Sequence, residues 1–585
     1  MPLFGHLSVH LTHLMAISNS TDTKPARTTT PTIEIYVKLA QYPILSDQIR
    51  LQMRQEIFSR GVMNQIDFEF EVKNLALESQ IREGLNDPYS QEDENTWQKR
   101  LASVRDIHTD NLFANNIGVA RLDQLIQDVL QHQGGVNQGI DLTFNPEIAP
   151  WALLFHQGRV YEALPPPKQT SVNHHLEELK VVLIKRLISD QLKFIGLAKK
   201  VFAIEDLHWI YERLAGAGKI GGKAAGMLLA WKILEKSSLQ SGVDIRKQVA
   251  APESYFIGSE SVYEFLALNN FNRFNNQKYL DEATQHLKYK EIVSTFTKGQ
   301  LPDHLVAHLR ELMQRIGKRP FIVRSSSLLE DNLSHTFSGM YESIICTNQA
   351  SEKENFKKLL DAIRKIFACT FNPAAIKTRK RHKLLDYDER MAIIIQPLIG
   401  ENYGRYYFPA VMGYGLSRPT HHKQQSDGIL HLVLGFHNHL QNKEEHETKY
   451  CIPLKNPKLR EAVTEYLPGR SPQNHVTVID TTSNSLREVP LYDILSTDYP
   501  RLPQVASTVS KEKFDSISKK SKGPYALTFL GLTEDPKFVR LMRTTLSRLE
   551  EAYRMPVKIE FTVELIQTNS GLAYKLHILQ CHPQR

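Results

Sequence analysis

Glycine and lysine are concentrated in one stretch of the sequence, Gly216–Leu229, which reads GAGKIGGKAAGMLL. Glycines let a backbone come close to a ligand, and a helix that begins just after them directs N–H groups and the positive end of its dipole at an anion. The stretch therefore predicts a phosphate-binding loop and helix N-terminus, with Lys223 as a point charge. A glycine-rich hinge between two helices is the alternative, and composition alone gives it about equal weight.

Neither of two well-known phosphate motifs fits this stretch well. The Walker A pattern fails because alanine stands at positions 217 and 224. The pattern G-x-G-x-x-G is present at Gly216–Gly221, but it requires a preceding strand. The residues before it, Ile204–Leu214, carry apolar side chains at helical spacing, which disfavours a dinucleotide site.

An arginine and three hydroxyl groups follow a second short apolar segment. Pro320–Val323 is predicted to be a strand that delivers Arg324 and Ser325–Ser327 into a turn. Arg324 offers a planar fork of donors that could clamp a phosphate. Alternatively, Ser327 and Glu330 form a capping box, and these residues only start a helix.

A β-hairpin is predicted near residue 570, where Pro556–Leu565 and Tyr574–Leu579 flank an Asn-Ser-Gly turn. Glu560 lies on the first strand, and Gln580 and His582 lie on or just after the second. A carboxylate and an amide oxygen that face one another can bind Mg²⁺. A single glutamate in a strand is more often a half-exposed edge residue, so these residues alone leave both interpretations open.

The elements that must position these residues change in kind along the chain. Residues 1–32 include a segment rich in Ser, Thr and Pro and are predicted to be a disordered leader. Residues 33–214 have mostly helical patterns, among them Leu176–Phe202 with a break expected near Gly196. We find no catalytic constellation there, and we interpret this part as a helical packing or interaction module.

From residue 215 onward the pattern becomes α/β. Further strands are predicted at Gln248–Ile257, Arg390–Ile399, Ile429–Leu434 and Val476–Asp480. Ser496–Gly523 is expected to be a loop or a weakly ordered connector.

Composition narrows the function classes. The 585 residues are 41% hydrophobic with a formal net charge of +8, which is typical of a multidomain globular protein and only weakly favours anionic partners. The most basic run, Lys377–Lys383, has no interleaved aromatics, so a solvated helix face is favoured over a nucleic-acid patch. Four dispersed cysteines and no long apolar run predict a cytoplasmic protein without a membrane span.

Five motifs in order carry a resemblance to a known family. They are Gly221–Gly226, Val323–Asp331, Thr336–Gly339, Met391–Gln396, and Ile559–Phe561 with Leu579–Pro583. Together they resemble the nucleotide-binding domain of pyruvate phosphate dikinase and phosphoenolpyruvate synthase, which rifampin phosphotransferase and glucan water dikinase share. The resemblance covers roughly residues 215–585 and implies a two-lobed fold of the ATP-grasp type, with lobes at 215–385 and 386–585 after the helical module 33–214.

The resemblance implies a role for each matching residue, with ATP and Mg²⁺ as cofactors. Lys223 and Arg324 are expected to bind the ATP phosphates, while Glu560 and Gln580 hold the magnesium ion and the phosphates. The remaining expected nucleotide contacts are the Gly339 backbone, the Ser343 hydroxyl, Gln396 at a strand end, and His582.

His582 departs from the family, whose members usually have arginine in a Gln-x-Arg-Pro motif. Imidazole is only partly charged near neutral pH and offers no fork of donors, so catalytic competence is in question. Arg585 is the nearby residue that could substitute.

The family's phosphate-accepting histidine has no counterpart here, because none of the 23 histidines follows the Thr/Ser-x-His-Ala pattern. Two functions therefore remain open. One is an ATP·Mg²⁺-dependent phosphotransferase module that lacks its own phosphohistidine and phosphoenolpyruvate domains and serves a separate chain. The other is a non-catalytic nucleotide-binding regulator. Neither nucleic acid nor a membrane is expected as a partner.

Overall fold

The computed structural model describes residues 46–82, 94–133, 149–237, 244–329, 341–382, 389–418, 428–436, 450–457, 473–510, 525–569 and 571–584, with short pieces at 32, 35, 38–39, 146–147, 331–332, 335–336, 384–385 and 513–516. The leader predicted at 1–32 lies outside these residues except for Thr32. The chain divides into two compact units, residues 1–164 and 165–585.

The first unit is helical in its described part. Its helices are α1 (Ser46–Ser59), α2 (Gln65–Arg82), α3 (Glu94–Asn116), α4 (Val119–Gln133) and α5 (Trp151–Glu162). Apolar residues at helical spacing on α1 and α4, such as Met53 and Leu122, form its core. The buried pair Arg50–Asp110, with Nη2 and Oδ2 2.7 Å apart, joins α1 to α3.

Three more helices open the second unit: α6 (Pro166–Leu187), α7 (Leu192–Val201) and α8 (Ile204–Glu212). The single helix with a break near Gly196 was a wrong prediction, because the helix ends at Leu187 and Gly196 lies inside α7. Pro166 occupies the first turn of α6, where its missing N–H costs no hydrogen bond. Below residue 214, the described chain is therefore helical, as predicted.

The rest of the second unit mixes helices and strands, which confirms the α/β class. Its helices are α9 (Gly222–Glu235), α10 (Ile245–Gln248), α11 (Ser261–Leu268), α12 (Glu282–Phe296), α13 (Asp303–Ile316), α14 (Glu352–Ala368), α15 (Pro373–Arg381), α16 (Leu491–Ile494), α17 (Leu502–Val505), α18 (Leu530–Thr533) and α19 (Pro536–Tyr553), with 3₁₀ turns at Phe271–Tyr279 and Cys369–Phe371. None of the helices in the described residues is long and apolar enough to cross a membrane.

Two sheets dominate this unit. The first has the order β1-β3-β8-β4-β7 and the second the order β13-β12-β11-β19-β20-β2. The first sheet consists of β1 (Leu214–Ala215), β3 (Tyr255–Ile257), β4 (Phe321–Ser327), β7 (Ser343–Cys346) and β8 (Met391–Pro397). The second consists of β2 (Val249–Ala250), β11 (Val411–Leu416), β12 (Ile429–Val433), β13 (Tyr450–Pro453), β19 (Val557–Thr568) and β20 (Gly571–Pro583).

Smaller sheets complete the unit. Their strands are β5 (Asp331–Asn332), β6 (His335–Thr336), β9 (Glu401–Tyr403), β10 (Tyr406–Phe408), β14 (His475–Asp480), β15 (Ser485–Pro490), β16 (Ala506–Ser510), β17 (Lys513–Ser516) and β18 (Tyr525–Leu527). The loop predicted at Ser496–Gly523 was therefore wrong in part, because α17, β16 and β17 lie inside it.

Helices pack against the two large sheets, and one helix contacts both of them. Every residue of β4 and β8 is buried, because these strands lie inside their sheet and helices pack against it. Helix α14 contacts β4, β7 and β8, whereas α9 contacts β4 of the first sheet and β20 of the second. Helix α9 therefore touches both sheets.

The turn predicted at Arg324–Ser327 is wrong. These residues complete strand β4, with Ser327 paired to Met391 of β8. Ser327 also starts no helix: Leu328 and Leu329 form a turn, Asp331 and Asn332 are a strand, and Glu330 lies outside the described residues. The Ser327 hydroxyl instead hydrogen-bonds Glu389 and accepts from the Leu329 N–H.

Candidate functional site

The glycine-rich stretch packs against β4, as a loop followed by a helix. Gly221, the residue before α9, has φ +78°, and a Cβ there would lie 1.6 Å from the Ser326 carbonyl oxygen. Only glycine allows this approach without strain. The Ala224 N–H in the first turn of α9 donates to Ser326 Oγ at 3.2 Å. The N-terminus of the helix is thus fixed against the strand that carries Arg324.

Lys223 is buried at the start of α9, with 4% of its surface exposed. Its Nζ donates to Ser325 Oγ at 3.0 Å. A hydroxyl group is neutral, so this hydrogen bond does not neutralise the ammonium charge. The group can therefore also attract an anion. The phosphate-loop interpretation agrees with this geometry better than a flexible hinge.

Arg324 connects the two large sheets. It lies on β4, with 3% of its surface exposed, and its Nη1 donates to the Leu579 carbonyl of β20 at 2.9 Å. The β19–β20 register explains why that carbonyl is available: Glu560 pairs with Gln580 and Phe561 with Ile578, so Leu579 is an extra residue in a bulge. A bulged residue leaves the ladder and can turn its carbonyl to another partner.

The second terminal nitrogen of Arg324, Nη2, donates to the cross-strand pair Glu560–Gln580. Nη2 lies 3.2 Å from Glu560 Oε2 and 3.3 Å from Gln580 Oε1. Burial alone would raise the pKa of Glu560, but the charges of Arg324, Lys558, His582 and Lys223 outweigh it and hold the pKa at about 2. Glu560 is therefore ionised at every physiological pH.

The next cross-strand pair on the same face is Lys558 and His582, because alternate residues of a strand share a face. His582 is buried, and its Nδ1 is 3.1 Å from the Pro583 carbonyl oxygen. A carbonyl can only accept, so Nδ1 donates and a neutral ring leaves Nε2 with a lone pair. Burial lowers the pKa of His582, an effect that the Pro583 bond and Glu560 oppose and the lysines reinforce, so the ring is neutral near pH 7.

Lys558 is a site residue that the sequence interpretation missed. Its Nζ lies 4.8 Å from the centre of the Tyr414 ring, and Tyr414 is the residue of β11 opposite Glu560. The signal was present, since a residue two positions before Glu560 on one strand must share its face. Neither burial nor a motif pointed to it.

An apolar cleft lies beside Arg324 in the same unit, with an empty volume of about 390 Å³ that includes open solvent. Gln396 of β8 lines it, with Nε2 donating to Ser254 Oγ at 2.8 Å. The other lining residues are Pro252, Ile322, Arg324, Pro397, Leu398, Ile399, Pro409, Met412, Phe436, Thr562 and Leu579.

Residues 217–585 match the family model described as the pyruvate phosphate dikinase, AMP/ATP-binding domain. The chain belongs to this family. The match supports nucleotide binding of the type found in pyruvate phosphate dikinase and phosphoenolpyruvate synthase, and it confirms the resemblance drawn from the motifs. No curated protein matches the chain significantly.

Most of the residues expected to bind ATP in this family are brought together. Arg324 touches Glu560 and Gln580, and Ser343 is the β7 partner of Arg324 in the sheet. The positive charge of Lys223 helps to lower the pKa of Glu560, and Gln396 lines the same cleft as Arg324. Gly339 and Arg585 lie outside the described residues.

The magnesium ligands expected from the family are adjacent, but a guanidinium nitrogen stands between them. Glu560 Oε2 and Gln580 Oε1 both accept from Nη2 of Arg324. In the two cross-strand pairs, Glu560 is the single carboxylate and Lys558 is its neighbour. The described residues contain no group of three or more His, Cys, Asp or Glu side chains suited to a metal ion. Glu560 and Gln580 alone are therefore an incomplete set of magnesium ligands.

Proposed function

We propose that this chain binds ATP, as an ATP-grasp-type module with the phosphates at Lys223 and Arg324 and the adenosine in the apolar cleft. The cleft runs along β4 and the end of β8 and reaches Arg324. Adenine needs an apolar slot with a few polar edges, which Gln396 and the backbone after it provide. The polyphosphate then extends toward the N-terminus of α9.

The observation that carries this proposal is a pair of buried donors without acceptors. Arg324 Nε and Gln580 Nε2 have no hydrogen-bond partner among the described residues, although both side chains are nearly inaccessible. Buried donors are rarely left unmet in the working state of a protein. A ligand rich in charged oxygen atoms, placed beside Arg324, supplies the missing acceptors.

Magnesium enters this proposal as a companion of the ATP phosphates. Mg²⁺ is usually held by substrate phosphates with one or two carboxylates, and Glu560 is the carboxylate that could complete such a set, with Gln580 Oε1 beside it. Both oxygens now bind Arg324, so a bound ion would have to exchange with its Nη2. The ion would neutralise phosphate charge.

We propose that a histidine on a separate chain could serve as the phosphoryl acceptor. The alternative function, a non-catalytic nucleotide-binding regulator, is favoured by the neutral His582, whose Nε2 offers a lone pair where a phosphoryl group needs a donor. A cytoplasmic location stays a prediction from the cysteine content.

Thermal unfolding with different ligands tests the proposed function. Millimolar ATP should raise the melting temperature, tripolyphosphate should raise it less, and adenosine least, since phosphate contacts dominate. If neither ATP nor tripolyphosphate shifts the transition, or if adenosine does as much as ATP, the assignment of the phosphate site is wrong.

A further inference from the structure

Lys558 is a cation without an anionic partner in the described site. No carboxylate of the described residues lies within salt-bridge distance of its Nζ, and its recorded contact is the Tyr414 ring at 4.8 Å. The side chain is half-buried on a regular strand, so its position is set by the sheet. A fixed, partly desolvated ammonium group attracts an anion more strongly than a mobile surface lysine does.

Several cations surround Glu560. Arg324, Lys558 and Lys223 each carry a positive charge that acts on this one carboxylate. His582 contributes none when neutral. A site of this kind resembles one in which a divalent ion is already present, because fixed cations occupy the ion's electrostatic role.

We propose that Lys558 is a third phosphate-binding cation and that it allows ATP to bind this site without a divalent ion. This inference rests on the proposed ATP site. Lys558 lies directly across from His582 and two residues from Glu560, so its ammonium group reaches the same face of the hairpin as the Arg324 contacts. Phosphate oxygens there would be neutralised by lysine and arginine.

Calorimetric titration of the full chain with ATP, once in EDTA and once in excess Mg²⁺, tests this inference. The wild-type dissociation constants should agree within about threefold, because the protein supplies the neutralising charge. Lys558→Gln should weaken binding roughly tenfold or more in EDTA, the usual effect of losing a charged hydrogen bond, and less in Mg²⁺. Lys537→Gln, the same change on an exposed lysine of α19, should leave both constants unchanged.

A converse variant adds a second carboxylate to the two cross-strand pairs. Lys558→Asp would place an acid beside Glu560, so ATP binding should become dependent on Mg²⁺. Circular dichroism and the melting temperature of each variant show whether it is folded. The comparison of wild type in EDTA and in Mg²⁺ tests the inference even if a variant does not fold.

The outcomes separate the two proposals. Wild-type binding that is more than about threefold weaker in EDTA than in Mg²⁺ overturns the role of Lys558 and leaves the ATP site standing. Equal weakening of binding by Lys558→Gln and Lys537→Gln also overturns it. Absence of binding in both conditions overturns the ATP site, and the inference falls with it.

Discussion

Arg324 is the residue on which the site depends. Its guanidinium reaches a bulge carbonyl, a carboxylate and an amide on the β19–β20 hairpin, so one side chain couples the two sheets. The sequence predicted its importance from the serines that follow it. The sequence could not predict its partners, because they are more than 230 positions away and depend on the bulge at Leu579.

Loss of Arg324 should destabilise the fold. Arg324→Met leaves the half-buried Glu560 without its ion pair, and we expect the free energy of unfolding in urea to fall by about 3 kcal/mol. Arg418→Met is the control, since Arg418 pairs with Glu550 at the surface with 68% of its side chain exposed and should cost below about 1 kcal/mol. Adding Glu560→Gln to Arg324→Met should restore part of the loss. Equal effects of the two arginine changes would refute the coupling role.

His582 should limit phosphoryl transfer. We expect His582→Arg to raise ATP turnover about tenfold or more, because a charged fork stabilises the transferring group in the transition state, with little change in ATP affinity. His582→Gln, which stays neutral, should not raise it. Phosphate release and the ATP dissociation constant are measured for all three proteins. A faster wild type than His582→Arg would mean that the site has been retuned around histidine.

At the scale of elements, the glycine-rich stretch and the hairpin were the parts best predicted from sequence. Glycines before an apolar helical run indicated the start of α9, and the Asn-Ser-Gly turn indicated the β19–β20 hairpin. Ser325–Ser327 were mispredicted because serine is a turn former by local preference, whereas β4 is held by β8 and buried from end to end. Tertiary pairing overrode the local signal.

Gly221 should tolerate no side chain. Gly221→Ala adds a Cβ that clashes with the Ser326 carbonyl. In the control Gly404→Ala, the only strain comes from the positive φ of 57°, because no other atom lies within 4 Å of the added Cβ. We expect the first change to cost about 1–3 kcal/mol more than the second in urea unfolding, as overpacking does, and to weaken ATP binding. Equal costs would mean that the loop can move away from β4.

At the scale of the whole molecule, all the described site residues belong to the unit from Pro165 to Arg585. The sequence placed a boundary near residue 214, where helical patterns give way to α/β, and that boundary stays a prediction. Long-range contacts indicate that the preceding helices belong to the same unit as the site. The Ile220 N–H donates to the Leu187 carbonyl at 2.9 Å, and Lys232 of α9 forms an ion pair with Asp206 of α8 at 2.7 Å. Periodicity alone cannot reveal such contacts.

Two fragments test this division. A fragment of residues 165–585 should bind ATP with the affinity of the full chain, because it keeps helices α7 and α8, which contact α9. A fragment of residues 215–585 loses the partners of Ile220 and Lys232, so it should melt at a lower temperature and bind ATP more weakly. Equal stability of the two fragments would support the boundary at residue 214 instead.

The central claim, that the start of α9 holds the phosphates of ATP, is tested most directly by calorimetric titration of ATP into wild type, Lys223→Ala and Lys236→Ala. Lys223 lies in the first turn of α9 and the exposed Lys236 is the C-cap of the same helix, so the two variants lose the same charge from opposite ends of one helix. We predict binding by wild type and Lys236→Ala with equal affinity, and a loss of about 1.5–3 kcal/mol for Lys223→Ala. No binding by wild type at millimolar ATP, or equal affinity of all three proteins, would contradict the claim.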